Sequence, residues 1–292
     1  MKQLKYGIIA VVWAWAGAAC SDDDNFRDSI IDVTPEQLTE LDQWIRDSFG
    51  VYNIDVIYKW NGFEVNQEYD LTPVREEKVI PCLSVIRRIW MNPYRTLGGE
   101  LFFKKSSPKQ IMLIGSAVYL EDGNSVVGEA EQGNRITLYD LNQRNPKDSL
   151  IVRQYMHTFH HEYIHILHQL VKYPTAYEEL GGGQYTINWA NATMNQALGA
   201  GFITPYAMEN ANEDFAEMIA RFIISTEAEW QVYFNQAQSQ SAEGYRKLRE
   251  KETIALQYMQ GVWGIDLYLL RELVLREFDR ILAENRAEQQ QP

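Results

Sequence analysis

Cysteine and histidine are both scarce in this chain of 292 residues. Its two cysteines, Cys20 and Cys82, allow one disulfide at most, so the chain cannot be a small scaffold held together by several bridges. All five histidines fall between His157 and His168. Since no histidine outside that segment can pair with a thiol, cysteine catalysis is disfavoured. Any chemistry that needs imidazole must take place at this one segment.

Positive charge is also in the minority, with 27 Lys and Arg against 40 Asp and Glu and a net charge of −13. A surface this acidic argues against binding to nucleic acid and against electrostatic docking on anionic lipid. Long apolar runs are missing too, because the one at residues 6–16 is too short to span a bilayer. The composition is 46% hydrophobic and 12% aromatic, which is ample for a large core. The chain is therefore expected to be globular.

The first residues have the pattern of an export signal. Lys2 and Lys5 precede the apolar run, and Gly17-Ala18-Ala19 precedes Cys20, so residues 1–19 are interpreted as a signal peptide. Small residues before a cysteine and acidic residues after it resemble a bacterial lipoprotein signal in which Cys20 becomes the acylated first residue. The acidic run is similar to the Bacteroidetes-type signal for the outer face of the outer membrane, although a solvated linker is an alternative for it.

This resemblance implies an exported protein that reaches the membrane through its lipid alone. Removal of residues 1–19 takes away two basic and no acidic residues, so the net charge changes from −13 to −15. Cys82 is then left without a partner, and a buried free thiol is expected.

The remaining chain predicts an α+β fold with a zincin-like order of elements. Residues 20–33 are interpreted as an acidic tether and residues 34–292 as one domain, with a first helix capped by Thr34. A helix is expected over 76–92, ending at Pro93 and the Gly98-Gly99 pair. A small, mostly antiparallel sheet is expected next, then a helix over 147–171, an irregular loop over 173–209 and a helical C-terminal half. The predicted strand segments are 52–60, 63–65, 111–114, 117–120, 126–127 and 136–139, and the C-terminal helices are 211–225, 227–238, 243–262 and 265–286.

The histidine segment contains a motif with a known mechanism. Residues 161–165 read His-Glu-Tyr-Ile-His, which on a helix places two imidazoles one turn apart on one face. His161 and His165 are the predicted Zn²⁺ ligands. Glu162 is the predicted general base, which activates water and later passes the proton to the leaving amine. The motif alone is short, so the rest of the site has to support it.

A third protein ligand is then required, and the histidine count restricts it. One zincin subfamily uses a histidine six residues past the second, but Val171 stands there and that subfamily is excluded. His168 lies about 10 Å along the helix from His161, too far to share an ion, and is expected to line the cleft or contact a ligand. His157 and His160 are expected to flank the site, with their roles open.

The third ligand is therefore expected to be a carboxylate of the segment 210–217. Glu213 is the predicted ligand, and Glu217, four residues later on the same face, is expected to hydrogen-bond a ligand histidine. Two alternatives remain at this stage. Asn210 and Glu213 also form a capping-box pattern, and Asp214 could replace Glu213 as the ligand.

These motifs together resemble the glutamate-type zincins, or gluzincins, and in particular the catalytic domain of anthrax lethal factor. With the lipoprotein signal, the chain is similar to the zinc-binding metallopeptidase lipoproteins encoded beside SusD-type glycan-uptake genes. The resemblance covers residues 155–220 and the signal. It implies that Tyr206, seven residues before Glu213, stabilises the oxyanion. Asp214 departs from the pattern, because the relative has an aromatic residue there.

The resemblance implies a zinc metalloendopeptidase with a peptide or glycoprotein substrate and a possible association with a glycan-uptake system. Two alternatives are kept. The first is a non-catalytic surface lipoprotein that binds glycan or protein through the region of Tyr185 and Trp189, with a structural metal. Structural zinc sites are usually closed and thiolate-rich, which argues against it. The second is an amidase that acts on cell-wall peptides.

Overall fold

The computed structural model describes residues 37–59, 69–119, 125–126, 128–131 and 135–290. The predicted signal, Cys20, the tether and the Thr34 helix start lie outside the described residues, as does the predicted strand at 63–65. From Thr39 onward the chain forms one compact unit. Among the described residues, no helix has the length and apolarity needed to cross a bilayer.

The first described helix, α1, spans Glu40–Ser48. Its start is set by a capping box, in which the Thr39 side chain accepts from the Asp42 backbone N–H while the Asp42 carboxylate accepts from the Thr39 N–H. Both groups satisfy donors that have no partner inside a helix. A single 3₁₀ turn, Gly50–Tyr52, then leads into strand β1, Asp55–Ile57.

The next helical region runs further than its sequence predicts. Helix α2, Glu76–Ile86, continues through a π-helical turn, Arg87–Met91, into helix α3, Asn92–Ser106. The predicted stop at Pro93 is wrong: this proline directly follows the π-helical turn, a place where helices accommodate an irregularity without ending, and the chain stays helical through it. Gly99, at φ 81°, breaks the regular helix, but the chain resumes it as far as Ser106.

In the part of the chain that the structure describes, six short strands form two sheets. Strands β2 (Gln110–Leu113), β5 (Gly128–Glu131) and β6 (Arg135–Leu138) join β1 in the order β1-β2-β6-β5, whereas β3 (Val118–Tyr119) and β4 (Ser125–Val126) pair with each other. In the larger sheet β1-β2 and β2-β6 are parallel and only β5-β6 is antiparallel.

The expectation of a mostly antiparallel sheet is therefore wrong, although the α+β class is confirmed. Helices α2 and α3 lie between β1 and β2, so the chain returns to the same end of the sheet before β2 begins. A crossover of this kind produces the parallel β1-β2 pair, whereas β5 and β6, which only three residues separate, pair antiparallel.

The helix that carries the histidines is α4, Ser149–Leu170. The predicted irregular loop after it contains two short helices, α5 (Thr175–Gly181) and α6 (Met194–Ala200), and two 3₁₀ turns, Trp189–Asn191 and Tyr206–Met208. The chain then continues as four helices: α7 (Ala211–Ile224), α8 (Glu227–Gln240), α9 (Ala242–Trp263) and α10 (Leu267–Gln289).

One hydrophobic core joins the larger sheet to these helices and fixes the position of α4. Trp90 packs against the rings of Phe103, Phe159 and Tyr163, with centroids 5.1 to 5.5 Å apart. Phe159 and Tyr163 are fully buried and four residues apart, so one face of α4 is anchored in the core. Helix α7 packs along α4, and the edge strand β5 also lies next to α4.

Candidate metal centre

The two helix starts that bring the donors together are both capped. Asp148 accepts from the N–H groups of Leu150 and Ile151 at the start of α4. Asn210 accepts from the N–H groups of Asn212 and Glu213 at the start of α7. Asn210 is therefore an N-cap, but the Glu213 side chain does not complete a capping box and extends toward the histidines of α4.

Three donor atoms converge between α4 and α7. Nε2 of His161 and Nε2 of His165 are 3.1 Å apart, and Oε2 of Glu213 lies 2.9 Å from the first and 3.2 Å from the second. Tetrahedral zinc with bonds of about 2.0–2.1 Å to nitrogen and oxygen places its ligand atoms about 3.3 Å apart. The spacing and chemistry of these donors fit a zinc ion, and three protein ligands leave a fourth position for water or substrate.

The second nitrogen of each histidine also has a partner. Nδ1 of His161 lies 3.2 Å from Oε2 of Glu217, and Nδ1 of His165 lies 2.9 Å from Nε2 of His168. A proton on Nδ1 leaves a lone pair on Nε2, which is the atom that faces the other donors. Burial and the nearby His165 lower the pKa of His168 to about 4, so His168 is neutral at pH 7. Its Nε2 can therefore accept a hydrogen bond from the Nδ1–H of His165.

Glu217 is itself held by three further side chains. Its Oε2 lies 2.7 Å from Nε2 of His157, and its Oε1 accepts from Thr204 at 3.2 Å and from Arg221 at 2.7 Å. Burial raises the pKa of Glu217, but its hydrogen bonds and the positive partners lower it well below its usual value. Glu217 is therefore a buried carboxylate that stays ionised beside His161.

The same carboxylates make the centre attractive to cations. Burial lowers the pKa of His161, but its hydrogen bonds to Glu213 and Glu217 raise it more, to about 10. Burial raises the pKa of Glu213, and its hydrogen bonds to His161 and His165 lower it more strongly, below its ordinary value. A site that holds a proton this firmly between carboxylates provides the negative potential that a divalent cation requires.

Glu162 and Tyr206 face a cleft of about 630 Å³ that is also lined by His165, His168 and Glu213. Burial raises the pKa of Glu162 above its ordinary value. Tyr206 begins its 3₁₀ turn with its ring 5.7 Å from the His161 ring, centroid to centroid. Burial and the charge of Glu213 raise the pKa of Tyr206, so its hydroxyl keeps its proton. The cleft thus combines a carboxylate and a phenol beside the three donors.

Three candidates lie outside the donor cluster. Asp214 follows Glu213 but pairs with Lys251 at 2.7 Å, away from the histidines, so the geometry favours Glu213 over Asp214. His160 is buried and lies 3.2 Å from the Tyr94 hydroxyl. Cys82 is a buried free thiol, and burial raises its pKa to about 12.

The structure also adds contacts of Glu217 that sequence reasoning did not identify. Arg221 stands four residues after Glu217 and forms an i,i+4 ion pair with it, a spacing that was visible in the sequence. Thr204 and His157 reach the same carboxylate from a loop and from α4, and no local pattern predicts that either contact forms.

Comparisons with known proteins show the family to which the chain belongs. Residues 34–268 match a family model described as "putative zinc-binding metallo-peptidase". A crystal structure of a protein with the same description from Bacteroides caccae is 30% identical, with a TM-score of 0.73, over 87% of this chain and 97% of that one. No curated protein matches the chain. The resemblance inferred from the motifs and the expectation of zinc are confirmed. The chain belongs to this family of zinc-binding metallopeptidases.

Proposed function

We propose that this protein hydrolyses internal peptide bonds, with zinc held by His161, His165 and Glu213. The observation that carries the proposal is the convergence of these three donor atoms within 3.2 Å of one another. The carboxylate of Glu162 lines the same cleft. Zinc bound there supplies Lewis acidity, which acidifies water and polarises a carbonyl group.

Glu162 is the proposed general base. It follows a ligand histidine directly and lines the same cleft, whereas Glu217 on the other side of His161 is fully engaged with its partners. A carboxylate with a raised pKa can take a proton from water and return it to the leaving amine, which is the pair of transfers that peptide hydrolysis needs.

Tyr206 is the proposed oxyanion donor. Its ring is held between His161 and Trp189, whose ring centroid lies 4.9 Å away in an edge-to-face contact. Because its hydroxyl remains protonated, it can donate a hydrogen bond to negative charge that develops on the carbonyl oxygen.

Strand β5 is the proposed guide for an extended substrate. It is the edge of the larger sheet, pairs with β6 on one side and lies next to α4. An extended peptide can add to such an edge through main-chain hydrogen bonds, independently of its side chains. This mode of binding favours a peptide or glycoprotein substrate over a free glycan.

The non-catalytic alternative loses part of its support. The Tyr185 hydroxyl donates to buried Asp214 at 3.0 Å, and Trp189 packs against Tyr206. Both side chains thus have contacts within the fold and are only partly exposed.

The proposal is tested by incubating the zinc-loaded protein with a library of unstructured peptides, with and without a chelator. We expect chelator-sensitive cleavage at internal bonds that returns when zinc is added back. Cell-wall peptide fragments are included as a second substrate set. Cleavage of those fragments alone would favour the amidase alternative, and no cleavage of either set would contradict the proposal.

We also propose that the protein is a lipoprotein at the outer face of the outer membrane. The support is the pattern around Cys20, and the family shown here does not depend on it. Mass spectrometry of the mature N-terminal peptide tests it, with an acylated Cys20 expected. An N-terminal peptide that begins elsewhere, or a Cys20 without lipid, would refute this part.

A further inference from the structure

A buried ion pair lies one residue beyond the third zinc donor. Asp214 on α7 and Lys251 on α9 are 2.7 Å apart, and neither side chain is exposed to solvent. Asp214 also accepts from the hydroxyls of Tyr185 at 3.0 Å and Tyr177 at 3.3 Å. The first turn of α7, which carries Glu213, is thereby tied to α9 and to the two tyrosine-bearing segments.

The same lysine has a second contact, at the end of α6. Its Nζ donates to the carbonyl oxygen of Gly201 at 2.7 Å and lies 3.9 Å from the centre of the Phe202 ring. Gly201 ends α6 at φ 93° and begins the short segment that leads to Tyr206. A single ammonium group therefore contacts both the helix turn of Glu213 and the start of the segment of Tyr206.

Stability alone is a poor explanation for this arrangement. A buried ion pair often contributes no more to stability than apolar side chains of similar volume, because both charges must be removed from water. Its hydrogen bonds are directional, however, and they relate the two segments to each other in a way that apolar packing does not.

We propose that Lys251 is a positioning residue that sets the placement of Tyr206 relative to Glu213 across the metal cleft. The part that concerns Tyr206 rests on the proposed peptidase function. The part that concerns Glu213 depends only on metal binding and can be measured without a substrate.

Two variants test this role. Lys251→Met leaves Asp214 buried without its cation, whereas Asp214→Asn with Lys251→Met removes both charges and keeps one of the two side-chain oxygens that accept from the tyrosines. The double variant therefore avoids an unpaired buried charge, yet still lacks the contact to Gly201.

For both variants we expect kcat to fall roughly tenfold or more while KM changes by less than about threefold. We also expect Co²⁺ affinity to fall roughly 10- to 100-fold, as for other residues that orient metal ligands, with a changed visible absorption spectrum of the Co²⁺ complex.

Arg271→Met is the matched control. Arg271 is also a buried cation, paired with Glu227 at 3.0 Å, but it joins α10 to α8 away from the donors. The Arg271→Met variant should have a lower thermal stability, but its kcat and the spectrum of its Co²⁺ complex should be those of the wild type. The proposal is overturned if the double variant keeps wild-type kcat and Co²⁺ binding, or if Arg271→Met changes them equally. If the wild type cleaves no peptide, the Co²⁺ measurements still decide the part that concerns Glu213.

Discussion

Replacing Glu162 with glutamine is expected to lower kcat for peptide hydrolysis by about 10²- to 10⁴-fold, the usual contribution of a general base. The amide keeps the size of the side chain but cannot accept a proton from water. Because Glu162 is not among the converging donors, zinc content should remain that of the wild type. Peptide kinetics and metal analysis on the same preparation measure both effects.

Two further variants make this result specific. Glu179→Gln removes an exposed carboxylate on α5 and should leave both kcat and zinc content unchanged. Tyr206→Phe removes one hydrogen-bond donor and should lower kcat by a smaller factor, about 10²- to 10³-fold, with zinc retained. A Glu162→Gln protein that cleaves at the wild-type rate would exclude Glu162 as the base, and full activity of Tyr206→Phe would exclude the oxyanion role.

Replacing Glu213 with alanine is expected to lower zinc affinity by well over 100-fold, because even residues that only orient zinc ligands contribute about 10- to 100-fold. The change removes one of three donor atoms and leaves two histidines with no other carboxylate in the cluster with His165. Competition with a chromophoric chelator measures the affinity, and peptidase activity should fall in parallel at limiting zinc.

Glu178→Ala serves as the control for this change. Glu178 lines the same cleft and pairs with Lys172 at 2.7 Å, so its removal lowers the negative charge of the cleft without removing a donor. Zinc affinity should change little in that variant. If Glu213→Ala and Glu178→Ala had equal effects, Glu213 would contribute through its charge and a different third ligand would be required.

Much of the site could be predicted because its main relationships are local. His161 and His165 are one helical turn apart, as are Glu213 and Glu217, and helical periodicity alone places each pair on one face. The absence of histidine elsewhere then restricted the third donor to a carboxylate. The starts of α4 and α7 also follow from local caps at Asp148 and Asn210.

The predictions that went wrong depended on tertiary context. Pro93 is a helix breaker by propensity, yet the chain remains helical past it because this region packs in the core around Trp90 and Phe103. Gly99 does interrupt the helix, as expected, but the helix resumes after it as far as Ser106. The strand segments were largely recognised, but their alternation does not encode whether neighbours run parallel or antiparallel. The crossover through α2 and α3 makes the β1-β2 pair parallel.

The sequence by itself determined the family of the protein, its metal and the residues most suited to bind it, because these depend on residue type and on spacing within single helices. Only the tertiary structure decided between Glu213 and its neighbour Asp214. Adjacent residues on a helix point about 100° apart, so packing of α7 against α4 and α9 directs one carboxylate to the histidines and the other to Lys251. It also brought His157 and Thr204 to Glu217, contacts that require other segments of the chain to meet α7.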